Sequence, residues 1–336
     1  MITIRSTVSV LKVLLLLLSV SGTVVAQATT ESNPSKPGVK EVQVPFASLK
    51  PSATIKVGGT ADWVLITDDA VWVASTKPYA VQRIDPGTNR IVATIRVSGE
   101  ACSGLASGFG SIWVPLCGKK RALVRIDAAK NTIIAVLPIA PAGPEGGIAA
   151  SDDSVWMVTD KNGTLKRIDP STNSVRQKIS IPPGSYNPFF SNGIVWITGV
   201  ESSVLTAVDA ITGEILESMA IGPKPRFLTS GGGSVWTLNQ GDGTVSRVDE
   251  KSRNVIATIQ VGIPGGGGDI AYGIESIWPT VLGVPLSRID AARNKVVKQW
   301  VGKGGDSLRF GYGSIWLTDY KKGLLSRFPA EEVFYH

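Results

Sequence analysis

Three aspartates stand at matching positions of a repeated sequence pattern and have side chains suited to a hard cation. Asp62 and Asp306 lie ten residues before a recurring tryptophan, and Asp269 lies nine residues before another. Carboxylate oxygens are the ligands that calcium and magnesium prefer. The three aspartates are therefore candidate metal ligands, with Ca²⁺ or Mg²⁺ as the expected ion, and nothing else in the sequence calls for a cofactor.

Other polar and aromatic residues stand at the same two positions in further copies of the pattern. Residues so placed would surround the mouth of a central channel and could hold a polar ligand. The alternative is that these groups only solvate an open channel. The candidate ligand-binding residues are Asp62, Trp63, Tyr186, Asn187, Arg226, Asp269 and Asp306, with Glu145 as an acidic neighbour.

Several kinds of catalysis are disfavoured because the sequence has one histidine, His336, at its last position. A frayed terminus is a poor place for a general base, so Ser-His-Asp catalysis has no interior histidine to use. The glycines at 265–268 lack the lysine of a phosphate-binding loop. We therefore favour a non-catalytic binding module and keep a metal-dependent lyase or hydrolase of a cyclic ester or lactone as the alternative.

The repeated pattern itself predicts the fold. Seven tryptophans, each preceded by a β-branched residue, are spaced by 41, 43, 40, 40, 42 and 38 residues, which is the length of one propeller blade. Some 10 to 12 residues later most copies carry Arg-Ile-Asp or a variant of it, and turn residues follow the Asp. Residue types that recur in nearly every copy are interpreted as structural. The tryptophans are Trp72, Trp113, Trp156, Trp196, Trp236, Trp278 and Trp316.

Each copy predicts four strands, in the order inner, Trp-bearing, Arg-bearing and outer. The last copy ends after Arg327 and Phe328 without an outer strand, whereas residues 52–58 resemble the outer strand at 255–262. The sequence therefore predicts an all-β, seven-bladed propeller over residues 51–336, in which an N-terminal strand completes the last blade and closes the ring.

The N-terminal residues predict export. Arg5 and Lys12 precede an apolar run from Val13 to Leu18 and then small residues, so residues 1–28 are expected to be a signal peptide rather than a membrane span. Residues 29–50, rich in Ser, Thr, Pro and Lys, are expected to be a flexible tether. The mature protein is expected in the periplasm or the medium, with no membrane-spanning segment.

The two cysteines and the charge narrow the remaining possibilities. Cys102 and Cys117 flank a predicted hairpin turn, and an oxidising compartment favours a disulfide between them. The formal charge is +7, and the one basic cluster, at 119–121, is interpreted as a solvated loop rather than a nucleic-acid or heparin contact. We expect a monomer whose partner is a small molecule or a protein and not a nucleic acid.

Three phrases of the repeat resemble a known family. Gly-Ser-Ile-Trp-Val at 110–114, Leu-Lys-Arg-Ile-Asp-Pro-Ser-Thr-Asn at 165–173 and Val-Ile-Ala-Thr-Ile-Gln-Val-Gly at 255–262 are similar to the repeats of streptogramin (virginiamycin B) lyase-like propellers and of the related YVTN or YncE-like propellers. The lyase resemblance implies ester opening by elimination, with histidines at the start of inner strands and a carboxylate-held magnesium ion. Arg226 stands where the family's histidine would be, so this chain departs from the lyase pattern at that position.

Overall fold

A computed structural model describes Ile2 and residues 36–335, so the expected signal peptide and the first part of the expected tether lie outside the described residues, apart from Ile2. The described residues from 36 to 335 belong to one compact unit, Pro34–His336. It consists of seven antiparallel four-stranded sheets in a ring, one of them extended by a fifth strand. The predicted seven-bladed β-propeller is therefore confirmed.

The blades are numbered in chain order, and each contains an inner, a Trp-bearing, a third and an outer strand. Blade 1 has the strands Thr60–Ile66, Val71–Thr76, Ala80–Asp85 and Arg90–Arg96. Blade 2 has Ala106–Gly108, Ser111–Leu116, Ala122–Asp127 and Thr132–Leu137. Blade 3 has Ile148–Ala150, Val155–Val158, Thr164–Asp169 and Ser174–Ser180. Blade 4 has Ser185–Ser191, Ile194–Gly199, Val204–Asp209 and Ile215–Ala220.

The remaining blades follow the same order of strands. Blade 5 has Pro225–Gly231, Ser234–Asn239, Thr244–Asp249 and Val255–Gln260. Blade 6 has Ile270–Gly273, Ser276–Pro279, Leu286–Asp290 and Lys295–Val301. Blade 7 has Leu308–Gly311, Ser314–Asp319, Leu324–Pro329 and, from the other end of the chain, Ala53–Lys56. Short 3-10 turns lie at Lys40–Val42, Phe46–Ser48 and Gly118–Lys120, and one short helix at Ala330–Tyr335.

The ring closes in blade 7, as the sequence predicts. Ala53–Lys56 pairs antiparallel with Leu324–Pro329, and Ile55 stands opposite Leu325. Both side chains are buried in one apolar cluster with Trp316. A strand from the start of the propeller thus completes its last sheet, so the third strand of blade 7 has no unpaired edge.

Residues 36–50 do not form the flexible tether that the sequence predicted there. Gln43–Pro45 is a fifth strand, parallel to Lys295–Val301 at the outer edge of blade 6, and Leu49 is buried. We call residues 36–50 the strap. The composition of this segment did not predict that it packs on blade 6, because only a few apolar side chains, spaced among lysines and prolines, hold it there. They are Val39, Val42, Val44 and Phe46.

The aspartate that ends each third strand of blades 1 to 6 shapes the turn that follows it. In blade 1, Asp85 Oδ1 accepts hydrogen bonds from the backbone N–H groups of Gly87 at 2.7 Å and Thr88 at 3.2 Å, and Asn89 takes a φ of +57°. These bonds hold the pKa of the Asp85 carboxyl below its ordinary value. The recurring Asp is therefore a turn residue, as its repetition suggested. The others are Asp127, Asp169, Asp209, Asp249 and Asp290.

The recurring Trp and Arg join neighbouring blades. Each repeat Trp is fully buried, and in six blades an Arg of the third strand stacks on it with Cζ 4.6 to 5.9 Å from the ring. In blade 2, for example, Arg125 also donates through Nη1 to Asn173 Oδ1 of blade 3 at 2.9 Å. We call this arrangement the inter-blade clamp. The arginines that reach the next blade in this way are Arg83, Arg125, Arg167, Arg247 and Arg327.

The contact between blades 4 and 5 is built differently. Ala207 pairs with Trp196 where other blades have the clamp arginine, and the described residues provide no hydrogen-bond partner for Trp196 Nε1. Glu250 of blade 5 instead accepts a hydrogen bond from Ser191 Oγ at 2.7 Å and another from the Asn192 amide, both in blade 4. A buried carboxylate from the following blade therefore replaces the arginine of the preceding one.

A disulfide joins Cys102 to Cys117, with the two Cα atoms 5.7 Å apart, in agreement with the sequence prediction. It links the entry to blade 2 with the end of the Trp-bearing strand of that blade, next to the bridge between Ala101 and Leu116. Within the described residues, no helix combines the length and the apolar character needed to cross a membrane.

Candidate functional site

The predicted site residues lie where inner strands begin, and bulges position several of them. In blades 1, 4 and 5 the register between the inner and the Trp-bearing strand shifts near the start of the inner strand. A bulge inserts an unpaired residue and turns side chains away from the regular alternation of the strand. The residues within these shifts are Asp62, Trp63, Tyr186, Asn187 and Arg226.

Three carboxylates form the acidic part of the mouth. Asp62, Glu145 and Asp306 are half-buried; the charges of Asp306 and Glu145 raise the pKa of Asp62, and the charge of Glu145 raises that of Asp306. Burial is the largest cause in every case, since it disfavours the charged form. The pKa of Asp62 lies well above its ordinary value, that of Glu145 is raised, and that of Asp306 is raised to about 7.

The protein supplies few hydrogen bonds to these carboxylates. Asp306 Oδ1 accepts one from the backbone N–H of Gly268 at 2.8 Å, which partly offsets the rise in its pKa. In the part of the chain that is described, the side chains of Asp62 and Glu145 have neither a hydrogen-bond donor nor an ion-pair partner. Two of the three groups are therefore left with open acceptor positions in the mouth.

Asp269, expected as a metal ligand, is hydrogen-bonded to other residues of the protein. It is buried, and its Oδ2 accepts hydrogen bonds from Ser307 Oγ at 2.8 Å and from Arg309 Nη1 at 2.6 Å. Its Oδ1 accepts the backbone N–H of Ile270 at 2.8 Å. Asp269 thus ties blade 6 to blade 7, with both carboxylate oxygens hydrogen-bonded, and its charge still raises the pKa of Asp62, Glu145 and Asp306.

The three aspartates accordingly do not form a metal cluster. Among the described residues, no group of three or more His, Cys, Asp or Glu side chains is arranged to hold a metal ion. Asp306 and Asp269 both raise the pKa of Asp62, while Asp269 accepts hydrogen bonds from Arg309 and Ser307. Binding of a metal ion by these aspartates stays a prediction.

Trp63 closes the channel instead of presenting its ring to a ligand. The side chain is 3% exposed and packs edge-to-face on Phe227 of blade 5, with ring centroids 5.8 Å apart. Blades 1 and 5 lie on opposite sides of the ring, so the two rings meet across the channel. Together with Asp269 and Arg309 they border a small cavity of about 80 Å³.

Asn187 also has a structural role that its position did not reveal. It is 5% exposed, and its Nδ2 donates to the carbonyl oxygens of Glu145 at 3.2 Å and Arg226 at 2.7 Å. One amide thereby joins the inner-strand entrances of blades 3, 4 and 5. Its donor hydrogens are used within the protein.

Tyr186 and Arg226 form the basic side of the mouth. The Arg226 guanidinium lies over the Tyr186 ring at 4.9 Å, and its Nε donates to Gln240 Oε1 at 3.1 Å. The Tyr186 hydroxyl donates to the carbonyl oxygen of Pro144 at 2.7 Å. With Lys161 these residues border a cavity of about 380 Å³. The guanidinium is held in place by stacking, and the pull of its charge on Glu145 partly offsets the raised pKa of that carboxyl.

Arg309 is the residue that the sequence interpretation missed. It stands seven residues before the repeat Trp316 and lies opposite it in the blade 7 hairpin. The equivalent positions elsewhere hold uncharged residues, which is a signal that a comparison of the repeats could have used. They are Leu65, Ala106, Ala149, Phe189, Thr229 and Ala271.

Comparison with known proteins extends the description of the fold. No family model matches the sequence, and no curated protein is similar to it. A solved structure described as "Streptogramin B lyase structure" superposes with a TM-score of 0.66 and 18% sequence identity, over 81% of this chain and 94% of that one. The expected resemblance to the lyase propellers is confirmed at this level, while the resemblance to YVTN propellers stays a prediction. The chain therefore has the fold of that streptogramin B lyase structure.

Proposed function

We propose that this protein is an exported propeller that binds a small polar ligand at its channel mouth without transforming it, and that a cationic group of the ligand contacts Asp62, Glu145 and Asp306. The observation that carries the proposal is the pair of half-buried carboxylates, Asp62 and Glu145, for which the described residues provide no donor. Buried carboxylates in proteins are ordinarily paired with a cation or hydrogen-bonded. A bound ammonium or guanidinium group would supply the hydrogen-bond donors and the positive charge that these two carboxylates lack.

The charge distribution of the mouth supports a ligand with more than one polar group. Glu145 and Asp306 raise the pKa of Asp62, and Glu145 raises that of Asp306, so a cation bound among them would relieve this repulsion. Arg226, stacked on Tyr186, offers a guanidinium on the other side of the same mouth. An anionic or carbonyl group of the ligand could accept hydrogen bonds there.

The arrangement favours binding over the alternative of a metal-dependent lyase or lactone hydrolase. Arg226 occupies the position at which the lyase resemblance implies a histidine, and a guanidinium does not release its proton to act as a base. Asp269 accepts hydrogen bonds from Arg309 and Ser307, so one of the three candidate metal ligands is already bonded within the protein. Export is supported by the Cys102–Cys117 disulfide, since such bonds persist in oxidising compartments.

A thermal-shift titration tests the proposal. The probes are primary amines, guanidinium compounds and zwitterionic amino acids, with CaCl₂ and MgCl₂ as separate arms. A ligand that binds only the folded protein raises its Tm. We expect an organic cation to raise the Tm, and Asp62→Asn combined with Glu145→Gln to abolish that shift. The matched control is Asp152→Asn, an exposed aspartate in a turn at the opposite end of blade 3.

Three outcomes would contradict the proposal. In the first, no organic cation shifts the Tm; in the second, the shift persists in the double variant. In the third, the purified protein opens a cyclic ester or lactone in the presence of MgCl₂, which would establish the alternative activity. A shift by CaCl₂ or MgCl₂ that is lost in the double variant would replace the organic cation by a metal ion.

A further inference from the structure

Five lysines at one end of the propeller are exposed and unpaired. In the described part of the chain, none of them has a hydrogen bond or an ion pair, and the same holds for Lys161 and Lys224 at this end. Lys322, next to Lys321, pairs with Asp319, and Lys130, at the other end, pairs with Asp127. Unpaired surface lysines are available to an external anion. The five are Lys77, Lys119, Lys120, Lys303 and Lys321.

The topology places these lysines side by side. Lys77, Lys119, Lys120 and Lys321 lie in the turns between the second and third strands of blades 1, 2 and 7, and Lys303 lies in the connection that enters blade 7. Because neighbouring strands are antiparallel, both kinds of connection lie at the same end of a blade as the channel mouth. Blades 7, 1 and 2 are consecutive around the closed ring. We call this set of five residues the basic arc.

The opposite end of the propeller carries many aspartates next to exposed cations such as Lys251 and Arg293. The turns between first and second strands and between third and fourth strands all lie at that end, and aspartates recur in them. Carboxylates also lie in the mouth-end turns of blades 3, 4 and 5, at Asp160, Glu201 and Asp242, so the basic arc is a local patch of blades 7, 1 and 2. The field of a charged surface would turn this patch toward negative charge. The aspartates of the opposite end are Asp68, Asp69, Asp85, Asp127, Asp152, Asp153, Asp169, Asp209, Asp249 and Asp290.

Two further features of the mouth end suit a phosphate-bearing surface. Lys303 and Lys321 border a cavity of about 280 Å³ together with Tyr320, a glycine-rich loop and the ion pair of Lys322 with Asp319. Tyr79, two residues after Lys77, is 46% exposed in the turn of blade 1. An exposed Tyr beside lysines matches the boundary between lipid headgroups and acyl chains, where amphipathic rings reside.

We infer that the mouth end docks on a bilayer surface containing anionic phospholipid, with the basic arc against the headgroups. The lysines are distributed over three blades at one end instead of lining a groove, which fits an extended surface better than a single polymer strand. The mouth carboxylates oppose this docking little, because they are recessed and their pKa values are raised. This inference does not depend on the proposed ligand.

Vesicle co-sedimentation tests it. The purified protein is mixed with vesicles of phosphatidylcholine and phosphatidylglycerol, or of phosphatidylcholine only, at low and at physiological salt. We expect binding to the anionic vesicles only, weakening as salt increases. The variant Lys120→Glu/Lys303→Glu/Lys321→Glu should bind at least about 100-fold more weakly, since each lysine near an anionic surface contributes roughly fivefold.

The matched control changes the same charge at the other end: Lys130→Glu/Lys251→Glu/Arg293→Glu, all exposed residues of the opposite turns. This variant should bind the anionic vesicles as the unmodified protein does, and circular dichroism should show both variants folded. Equal loss in both variants would overturn the inference, because binding would then follow net charge rather than the arc. Absence of vesicle binding would overturn it as well, including where heparin still retains the protein.

Discussion

Arg327, in the last blade, donates a hydrogen bond of 3.0 Å from Nη1 to the Oδ1 of Asn89, in the first blade. The same guanidinium stacks on Trp316 and donates to the carbonyl oxygen of Pro86 at 2.6 Å. This is the inter-blade clamp seen at sequence-adjacent blades, here joining residues 238 positions apart. The seam of the ring is therefore held both by a shared sheet and by the clamp that connects other blades.

The clamp at the seam predicts a large loss of stability on its removal. Arg327→Ala should lower the free energy of unfolding by about 2–3 kcal/mol, because charge-assisted hydrogen bonds and a stacked cation are lost together. Urea denaturation measures the change. As a control, Arg176→Ala removes a half-exposed pair with Asp153, 3.1 Å long, and should cost less than about 1 kcal/mol. Equal costs for the two variants would contradict a special role of Arg327.

The shared sheet at the seam gives a separate prediction. Ile55→Ala should destabilise the protein by about 2–4 kcal/mol, since the side chain is 8% exposed and packs with Leu325 and Trp316. Thr54→Ala, at the neighbouring exposed position, should change stability by less than about 0.5 kcal/mol. Both values come from denaturant unfolding. A small effect of Ile55→Ala would mean that the N-terminal strand contributes little to ring closure.

Most of the fold could be predicted because its signals are local and repeated. The Trp spacing gave the size and number of blades, and the missing outer strand of the last copy predicted the pairing of Ile55 with Leu325. The strap was not foreseen, since Gln43–Pro45 is held by only a few contacts with blade 6 and its composition matches that of a linker. Repetition reveals what the blades share and is uninformative about a segment that occurs once.

The site was predicted less well for a related reason. Matching positions in the repeat indicated which residues lie at the mouth, but not which of their polar groups are free. The side chains of Asp269 and Asn187 form hydrogen bonds with residues of adjacent blades, whereas the described residues provide no such partner for Asp62. Bulges and bonds between blades decide these orientations, and both depend on tertiary neighbours that sequence spacing does not specify.

The exceptional contact between blades 4 and 5 should depend on one carboxylate. Glu250→Ala should cost about 1 kcal/mol, because the hydrogen bonds from the partly buried Ser191 and from the exposed Asn192 lose their acceptor. Glu250→Gln, which keeps one acceptor oxygen, should cost less. Glu214→Ala, at an exposed position of blade 4, is the control and should be nearly neutral. If Glu250→Ala is as neutral as the control in chemical denaturation, the contact does not replace a clamp.

The mouth carboxylates predict that stability falls as the pH rises. The pKa of Asp306 is raised to about 7, and those of Asp62 and Glu145 are also raised, mainly by burial. Between the ordinary carboxyl pKa and about pH 7, the folded protein therefore binds more protons than the unfolded chain, and the free energy of unfolding decreases with pH. The turn aspartates, whose pKa values are lowered, act in the opposite sense but only at more acidic pH.

Denaturant unfolding at about pH 5 and about pH 8 measures this dependence. We expect lower stability at the higher pH and a smaller difference in Asp306→Asn, because the amide keeps an acceptor for the Gly268 N–H but cannot ionise. Asp152→Asn, which removes an exposed carboxyl at the far end of the channel, should leave the difference unchanged. Stability that rises over this interval, or an unaltered slope in Asp306→Asn, would show that Asp306 is as readily ionised in the folded protein as in the unfolded chain.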